Sequence, residues 1–256
     1  MKIMKINRSW ILALAGTICC AMGAHAGLTP VATTGSWDGE PYPGTLNTVM
    51  QSLTGNSGYN VNSAANRVDD SSDQVWTGTG GNGTATMLLT IAGYASYSSF
   101  GIYNLSDPSQ KTQIFGGGTS PSSTVSITVP VGDFGFYLDT PGGVWYSVNS
   151  QNSDGGDHMV TLTTTTDQSL NLDAANLEGW GHSGGTVAWD PGSYILGWED
   201  LTAIPGSGTD VDYQDMIVEV SGVAPIPEPT TMVAGAMMLL PFATQGLRAL
   251  RRKRTA

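Results

Sequence analysis

From Thr84 to Val220 the apolar residues fall into short runs, set about 8 to 15 residues apart and separated by glycine, aspartate and proline. The runs are Thr86–Ile91, Ser99–Tyr103, Lys111–Phe115, Thr124–Val129, Phe134–Leu138, Val144–Val148, Met159–Thr165, Tyr194–Trp198 and Met216–Val220. Thr124-Val125-Ser126-Ile127-Thr128-Val129 alternates polar and apolar strictly, the period of a strand with one buried face. None of the runs carries a helical period. Short strands at this spacing predict an all-β, antiparallel β-sandwich or jelly-roll-like body. Composition agrees, because glycine, serine, threonine and asparagine are plentiful and suit polar turns better than helices.

Upstream the pattern is thinner. Residues 27–84 contain turn signals such as Pro41-Tyr42-Pro43-Gly44 and Gly78-Thr79-Gly80-Gly81, room for one short helix at Leu46–Leu53, and one short strand at Gln74–Thr77. This segment is expected to be a loosely structured extension, with the sandwich spanning 85–222. Residues 223–229, through Pro225, Pro227 and Pro229, read as a stiff linker.

The two ends are addresses. Lys2, Lys5 and Arg8 precede an apolar stretch, Trp10 to Met22, of about a dozen residues, and Ala24-His25-Ala26 is a small-x-small cleavage site. Residues 1–26 therefore read as a removed signal peptide, too short to span a bilayer. It holds Cys19 and Cys20, the only cysteines, so the mature chain has neither disulfides nor thiolate chemistry. At the other end, Pro227-Glu228-Pro229 precedes an apolar segment within 230–256 that closes on Arg251-Arg252-Lys253-Arg254. About nineteen apolar residues at ~1.5 Å rise nearly cross a ~30 Å core, and the basic cluster marks the cytoplasmic side.

That tail resembles a PEP-CTERM sorting signal. The resemblance covers about thirty residues and implies recognition by a membrane-embedded exosortase, cleavage near Pro227-Glu228-Pro229, transient membrane residence, and release to the cell surface or an extracellular polysaccharide matrix of a Gram-negative bacterium.

Charge is sorted along the chain. Of ten basic residues only Arg67 and Lys111 lie between Gly27 and Pro225, whereas of 21 acidic residues only Glu228 lies outside it. The exported region thus sets two positive charges against twenty negative ones, near −18. Such a surface repels nucleic acid, which is excluded as a partner, and repels anionic polysaccharide unless cations intervene.

The acidic residues are the candidate site. Glu199 and Asp200 end one predicted strand, and Asp210, Asp212 and Asp215 open the next, so a hairpin brings both groups to one end of a sheet. Asp154, Asp157 and His158 lie in an earlier glycine-rich turn. Calcium takes 6–8 hard oxygen ligands, which carboxylates at turns supply. With almost no lysine or arginine nearby, such carboxylates stay charged and close only around a cation. The other reading is that these aspartates close Asx-turns and hairpin corners, solvated. No twelve-residue EF-hand loop is present.

The segments Ser99–Tyr103, Phe134–Leu138, Asn152–His158, Gly197–Leu201 and Asp212–Val218 also resemble, in order, a bacterial surface β-domain of unknown function, the DUF4114-like type. That resemblance implies a β-fold and at most a cation-dependent site.

Enzymatic readings are weaker. No carboxylate pair is singled out for glycoside hydrolysis, no nucleophile-elbow motif is present, and His158 and His182 lack the company that zinc needs. Trp145, Trp180, Trp189 and Trp198 either stack on sugar rings or fill the core. The expected function is a non-enzymatic surface or matrix protein, calcium-stabilised. A carbohydrate-binding surface module is the alternative and a secreted glycoside hydrolase the more remote one.

Overall fold

A computed structural model describes residues 28–33, 44–90, 96–173, 185–201 and 211–227. The expected signal peptide with Ala24 and Ala26, the motif residues Glu228 and Pro229, the apolar tail with Arg251, Arg252, Lys253 and Arg254, and also Asp210, Trp180 and His182 lie outside them. Among the described residues no helix is long and apolar enough to cross a membrane.

The chain is mostly antiparallel β-structure. One helix, α1 (Leu46–Thr54), precedes β1 (Val75–Gly78), β2 (Gly83–Thr90), β3 (Ser99–Asn104), β4 (Asp107–Phe115), β5 (Thr124–Ile127), β6 (Phe134–Thr140) and β7 (Gly143–Tyr146). Then follow β8 (Met159–Thr163), β9 (Gln168–Asn171), β10 (Thr186–Trp189), β11 (Tyr194–Trp198), β12 (Met216–Ser221) and β13 (Val223–Ile226). A six-stranded sheet runs β13-β1-β6-β3-β4 with β7 beside β6, a five-stranded sheet runs β5-β2-β12-β11-β8, and β9 and β10 form a separate hairpin.

Two apolar clusters explain the layering. Between the two large sheets, Trp76, Phe100, Phe136 and Leu138 meet Ala85, Met87, Leu196, Trp198, Met216, Val218 and Val220. On the far face of the five-stranded sheet, Leu88, Val160, Leu162, Ile195 and Ile217 meet Leu46, Val49, Met50 and Leu53 of α1, with Leu170 and Trp189 of the small hairpin. The five-stranded sheet is therefore covered on both faces. Successive residues Ile195–Trp198 of β11 and Met216–Val218 of β12 are all buried, which is why those stretches do not alternate with polar residues.

The strictly alternating run forms a strand with one face partly buried: Ile127 is buried, Val129 packs against the core, and Val125 is exposed. β5 sits at the edge of the five-stranded sheet, and of its residues only Ile127 is buried. A bulge where Ile217 pairs Leu89 and Val218 pairs Met87 leaves Leu88 as the extra residue and turns Leu88 and Leu89 both toward α1.

Two boundary expectations need correction. The described part of 27–84 is not loose. Thr45 caps α1 in a reciprocal capping box with Thr48, Gly55 ends it at φ 64°, and Leu46, Val49, Met50 and Leu53 are each 0% exposed. Each such side chain contributes about 1.5–3 kcal/mol relative to exposure. Within its own segment the helix is tied to the following loop, Val61 N donating to Asn47 Oδ1 and Gln51 Nε2 to Tyr59 O, but most of the apolar surface that covers it comes from the sheet. Likewise Val223–Ile226 is an edge strand, not a linker. Gly222 turns the chain at φ 71°, and β13 pairs with β1, placing Pro225 opposite Trp76 at the rim of its sheet, where a missing N–H is tolerated. The folded body thus runs up to Pro227.

Gly197 makes the helix–sheet contact possible. A Cβ there would lie 2.7 Å from Leu46 Cδ2 and 2.8 Å from the carbonyl oxygen of Tyr213. Gly197→Ala is expected to cost about 1–3 kcal/mol, read as a lower urea midpoint at unchanged slope. An unchanged midpoint would show that α1 does not rest on β11 in this way.

Candidate functional site

The antiparallel pairing of β11 and β12 sets Trp198 opposite Met216, so the residues just outside each strand meet at one end of the sheet. There Glu199, Asp200 and Asp215 each offer a carboxylate oxygen, all within 4.8 Å of one another. Glu199 is 0% exposed and Asp200 4%, and Asp215 is half-buried. The Asp215 carboxylate accepts from the Asp200 amide at 2.8 Å, and the two Glu199 oxygens accept from Leu201 N (3.3 Å) and Asp212 N (3.1 Å).

The backbone that presents these acids is constrained. Val211 (φ 52°) and Tyr213 (φ 57°) are left-handed, a conformation that is uncommon outside glycine and strained for a β-branched valine. It is held by Leu46 N donating to Asp212 O at 2.8 Å and by the Tyr213 hydroxyl donating to Asp157 O at 2.8 Å. Asp212 is turned to its own loop, where its carboxylate accepts from Gln214 N and Gln214 Nε2.

Trp145 and His158 brace the other side. Their rings stack at 3.8 Å and 9°, and they reach consecutive carbonyls, Trp145 Nε1 donating to Asp200 O at 2.8 Å and His158 Nδ1 lying 3.1 Å from Glu199 O. A carbonyl only accepts, so Nδ1 carries a hydrogen. Nε2 faces the Asp154 carboxyl at 3.1–3.2 Å, so one further proton is held between His158 and Asp154. Burial lowers the histidine below its usual range, with the Glu199 carbonyl and Asp154 opposing in part.

Of the sequence-predicted acids, then, Glu199, Asp200 and Asp215 converge. Asp212 is hydrogen-bonded to them through its amide, and Asp154 is engaged with His158 beside them. Asp157 belongs elsewhere. It lies with Asp73 near the Arg67–Asp70 ion pair, whose atoms are 2.7 Å apart. Asp73 and Asp157 are 1% and 8% exposed, and Oδ2 of each is buried without a hydrogen-bond partner. Sequence reasoning passed over Asp73 and gave Arg67 and Trp145 no place in a site, because Asp157 beside Asp73 and Asp200 beside Trp145 lie more than fifty residues away. The one usable signal was Arg67 itself, one of only two basic residues between Gly27 and Pro225.

The three carboxylates suit a hard cation. Charged groups this close, this buried and surrounded by acids need a proton or a metal to offset them. Arg67 pairs with Asp70, and Lys111 lies 3.7 Å from Asp139, so neither basic side chain serves this end. Burial first, then Glu199, Asp200 and Asp212, raise Asp215 well above the usual carboxylate range. Three carboxylates supply part of the 6–8 oxygen ligands of calcium. Among the described residues, Trp145, Trp189 and Trp198 do not form a sugar-stacking platform, because they are 5%, 1% and 0% exposed.

The Asp73–Asp157 cluster predicts a pH effect. Burial, then Asp70, raises Asp157 to about 7, and burial, then Asp157 and Asp70, raises Asp73. Arg67 opposes both, and the neighbouring Tyr213 hydroxyl is itself raised by burial. The folded state therefore binds more protons than the unfolded one between about pH 4 and 7, and stability falls as pH rises through that window. In chelator, the melting temperature should drop from pH 5 to pH 8, and Asp157→Asn should flatten the drop. Superimposable profiles would show that the proton is not there.

No family model and no curated protein matches the chain. Two solved structures align with it weakly. One is the Chromobacterium violaceum lectin CV2L in complex with α-methyl-fucoside, at 14% identity, covering 60% of this chain and 91% of that one with a TM-score of 0.27. The other is the C-terminal domain of the BC2L-C lectin from Burkholderia cenocepacia, at 16% identity, covering 58% and 93%, also with a TM-score of 0.27.

Proposed function

We propose that this chain is an exported, non-enzymatic surface or matrix protein whose sandwich is clamped at one end by a calcium ion held by Glu199, Asp200 and Asp215. The observation that carries the cation is the convergence of three inward carboxylates within 4.8 Å, in a region that has two basic side chains, both engaged elsewhere. The clamp joins the ends of β11 and β12 to the loop that docks on α1, so it ties the central sheet to the helix. The role is structural, because Glu199 and Asp200 are too buried to meet a polymeric substrate. With about eighteen excess negative charges, calcium also offers a bridge to acidic matrix polysaccharide.

Calcium at 100 times its Kd stabilises by about 2.7 kcal/mol, which for a domain of this size is roughly 5–10 °C. Millimolar calcium should raise the melting temperature by that amount and chelator should reverse it. Asp215→Asn should fold, lose the calcium response, and be no less stable than the parent in chelator, since it removes a repelled charge. A melting temperature indifferent to calcium would remove the cation from the reading.

Export and sorting rest on the sequence alone. The signal-like residues 1–26, the PEP-CTERM-like Pro227-Glu228-Pro229, the apolar segment and Arg251–Arg254 support passage through the membrane and processing by an exosortase. Because β13 ends one residue before Pro227, cleavage would have to occur close against the folded sheet. Mass spectrometry of the protein recovered from cells should find an N-terminus at Gly27 and a C-terminus near Pro227–Pro229. Intact, unprocessed chain dissolved in the cytosol would overturn the sorting role.

A further inference from the structure

Two successive peptide groups at the acidic end are each held at both of their ends. The peptide between Glu199 and Asp200 accepts from His158 Nδ1 at 3.1 Å, and its N–H donates to Asp215 Oδ2 at 2.8 Å. The peptide between Asp200 and Leu201 accepts from Trp145 Nε1 at 2.8 Å, and its N–H donates to Glu199 Oε1 at 3.3 Å. Each peptide thus meets a ring nitrogen at its carbonyl and a carboxylate of the acidic centre at its amide.

A peptide group is planar and trans, so its N–H and C=O point in opposite directions and move together. Fixing the carbonyl therefore aims the N–H. The two rings are themselves fixed, because both are buried and they stack at 3.8 Å and 9°. One line of contact runs from Trp145 through the peptide of Asp200 and Leu201 to the Glu199 carboxylate. A parallel line runs from His158 through the preceding peptide to Asp215.

The rings have different origins. His158 continues the pairing of β8 with β11, Glu199 N donating to His158 O at 3.0 Å. Trp145 lies on β7, in the other sheet, and Thr140 at the end of β6 points its hydroxyl at the same Asp200 carbonyl, 3.5 Å away. A carboxylate of the five-stranded sheet is therefore aimed by a side chain of the six-stranded one. A phenyl ring at 145 could fill the same space and stack on His158, but it could not donate to a carbonyl. Without that donor the peptide turns more freely, and Glu199, repelled by Asp200 and Asp215, swings away from the place where an ion needs it.

We propose that Trp145 is a positioning residue for the calcium ion, so that cation affinity at the end of one sheet is set by a tryptophan of the other. This rests on the reading of Glu199, Asp200 and Asp215 as a calcium centre. The test titrates calcium chloride into the full chain in detergent, with Kd read by calorimetry and the melting temperature in chelator read beside it. Trp145→Phe should raise Kd about ten-fold while lowering the chelator melting temperature by no more than a few degrees. Trp189→Phe, in the other apolar cluster, should leave Kd unchanged. In the labelled parent, independently of any variant, the indole N–H resonance of Trp145 should move on calcium addition and that of Trp189 should not. A parent that takes no calcium removes the calcium reading and this inference with it. Calcium binding with Kd unchanged in Trp145→Phe, an equal loss in Trp189→Phe, or an unmoved Trp145 resonance overturns this inference alone and leaves the calcium centre standing.

Discussion

Everything in this fold hangs on a five-stranded sheet that is dry on both faces. A sheet covered on one side would need only the partner sheet. Here Ile195, Ile217, Leu88 and Leu162 point away from that partner and require a second cover. α1 and the β9–β10 hairpin supply it. The same requirement explains the glycine at 197, where a side chain would hold the helix off the strand, and the left-handed Val211 and Tyr213, whose strained backbone is fixed by its contacts with α1 and Asp157.

The acidic end is a consequence of that arrangement. Strands β11 and β12 must pair in full register to close both cores, and their ends then carry Glu199, Asp200 and Asp215 together whatever the charges prefer. A chain with only Arg67 and Lys111 as basic residues between Gly27 and Pro225, both paired with other acids, cannot relieve this with lysine or arginine. Protons or a metal must do so. The Trp145–His158 stack sets the carbonyls of Glu199 and Asp200, so the carboxylates are positioned by groups that are not themselves acidic. Asp73 and Asp157 repeat the problem a short way off, and there an arginine is at hand, already paired to Asp70.

What could be read beforehand follows distance along the chain. Glu199 and Asp200 meeting Asp215 was legible, because a hairpin is a local event and the two runs read as neighbouring strands. Asp157 was not placed correctly, because its surroundings come from Arg67, Asp70 and Asp73, more than eighty residues earlier. Tryptophans 145, 189 and 198 were ambiguous in sequence, since an indole suits a core and a sugar face equally, and only burial decides. The helix of 46–54 was visible as a pattern but not as a part of the body, because its apolar face is meaningful only opposite Gly197.

The amino-acid sequence by itself determined the class of fold and the sorting of basic residues toward the two ends. These depend on residue order and composition: period, turn chemistry and transfer free energies act within a few residues of each position. The tertiary structure alone decided that residues 28–33 and 44–90 belong to the folded body, that Val223–Ile226 closes a sheet, and which three of the acidic residues converge. Those outcomes depend on which surfaces must be covered, and a covering segment can come from anywhere in the chain.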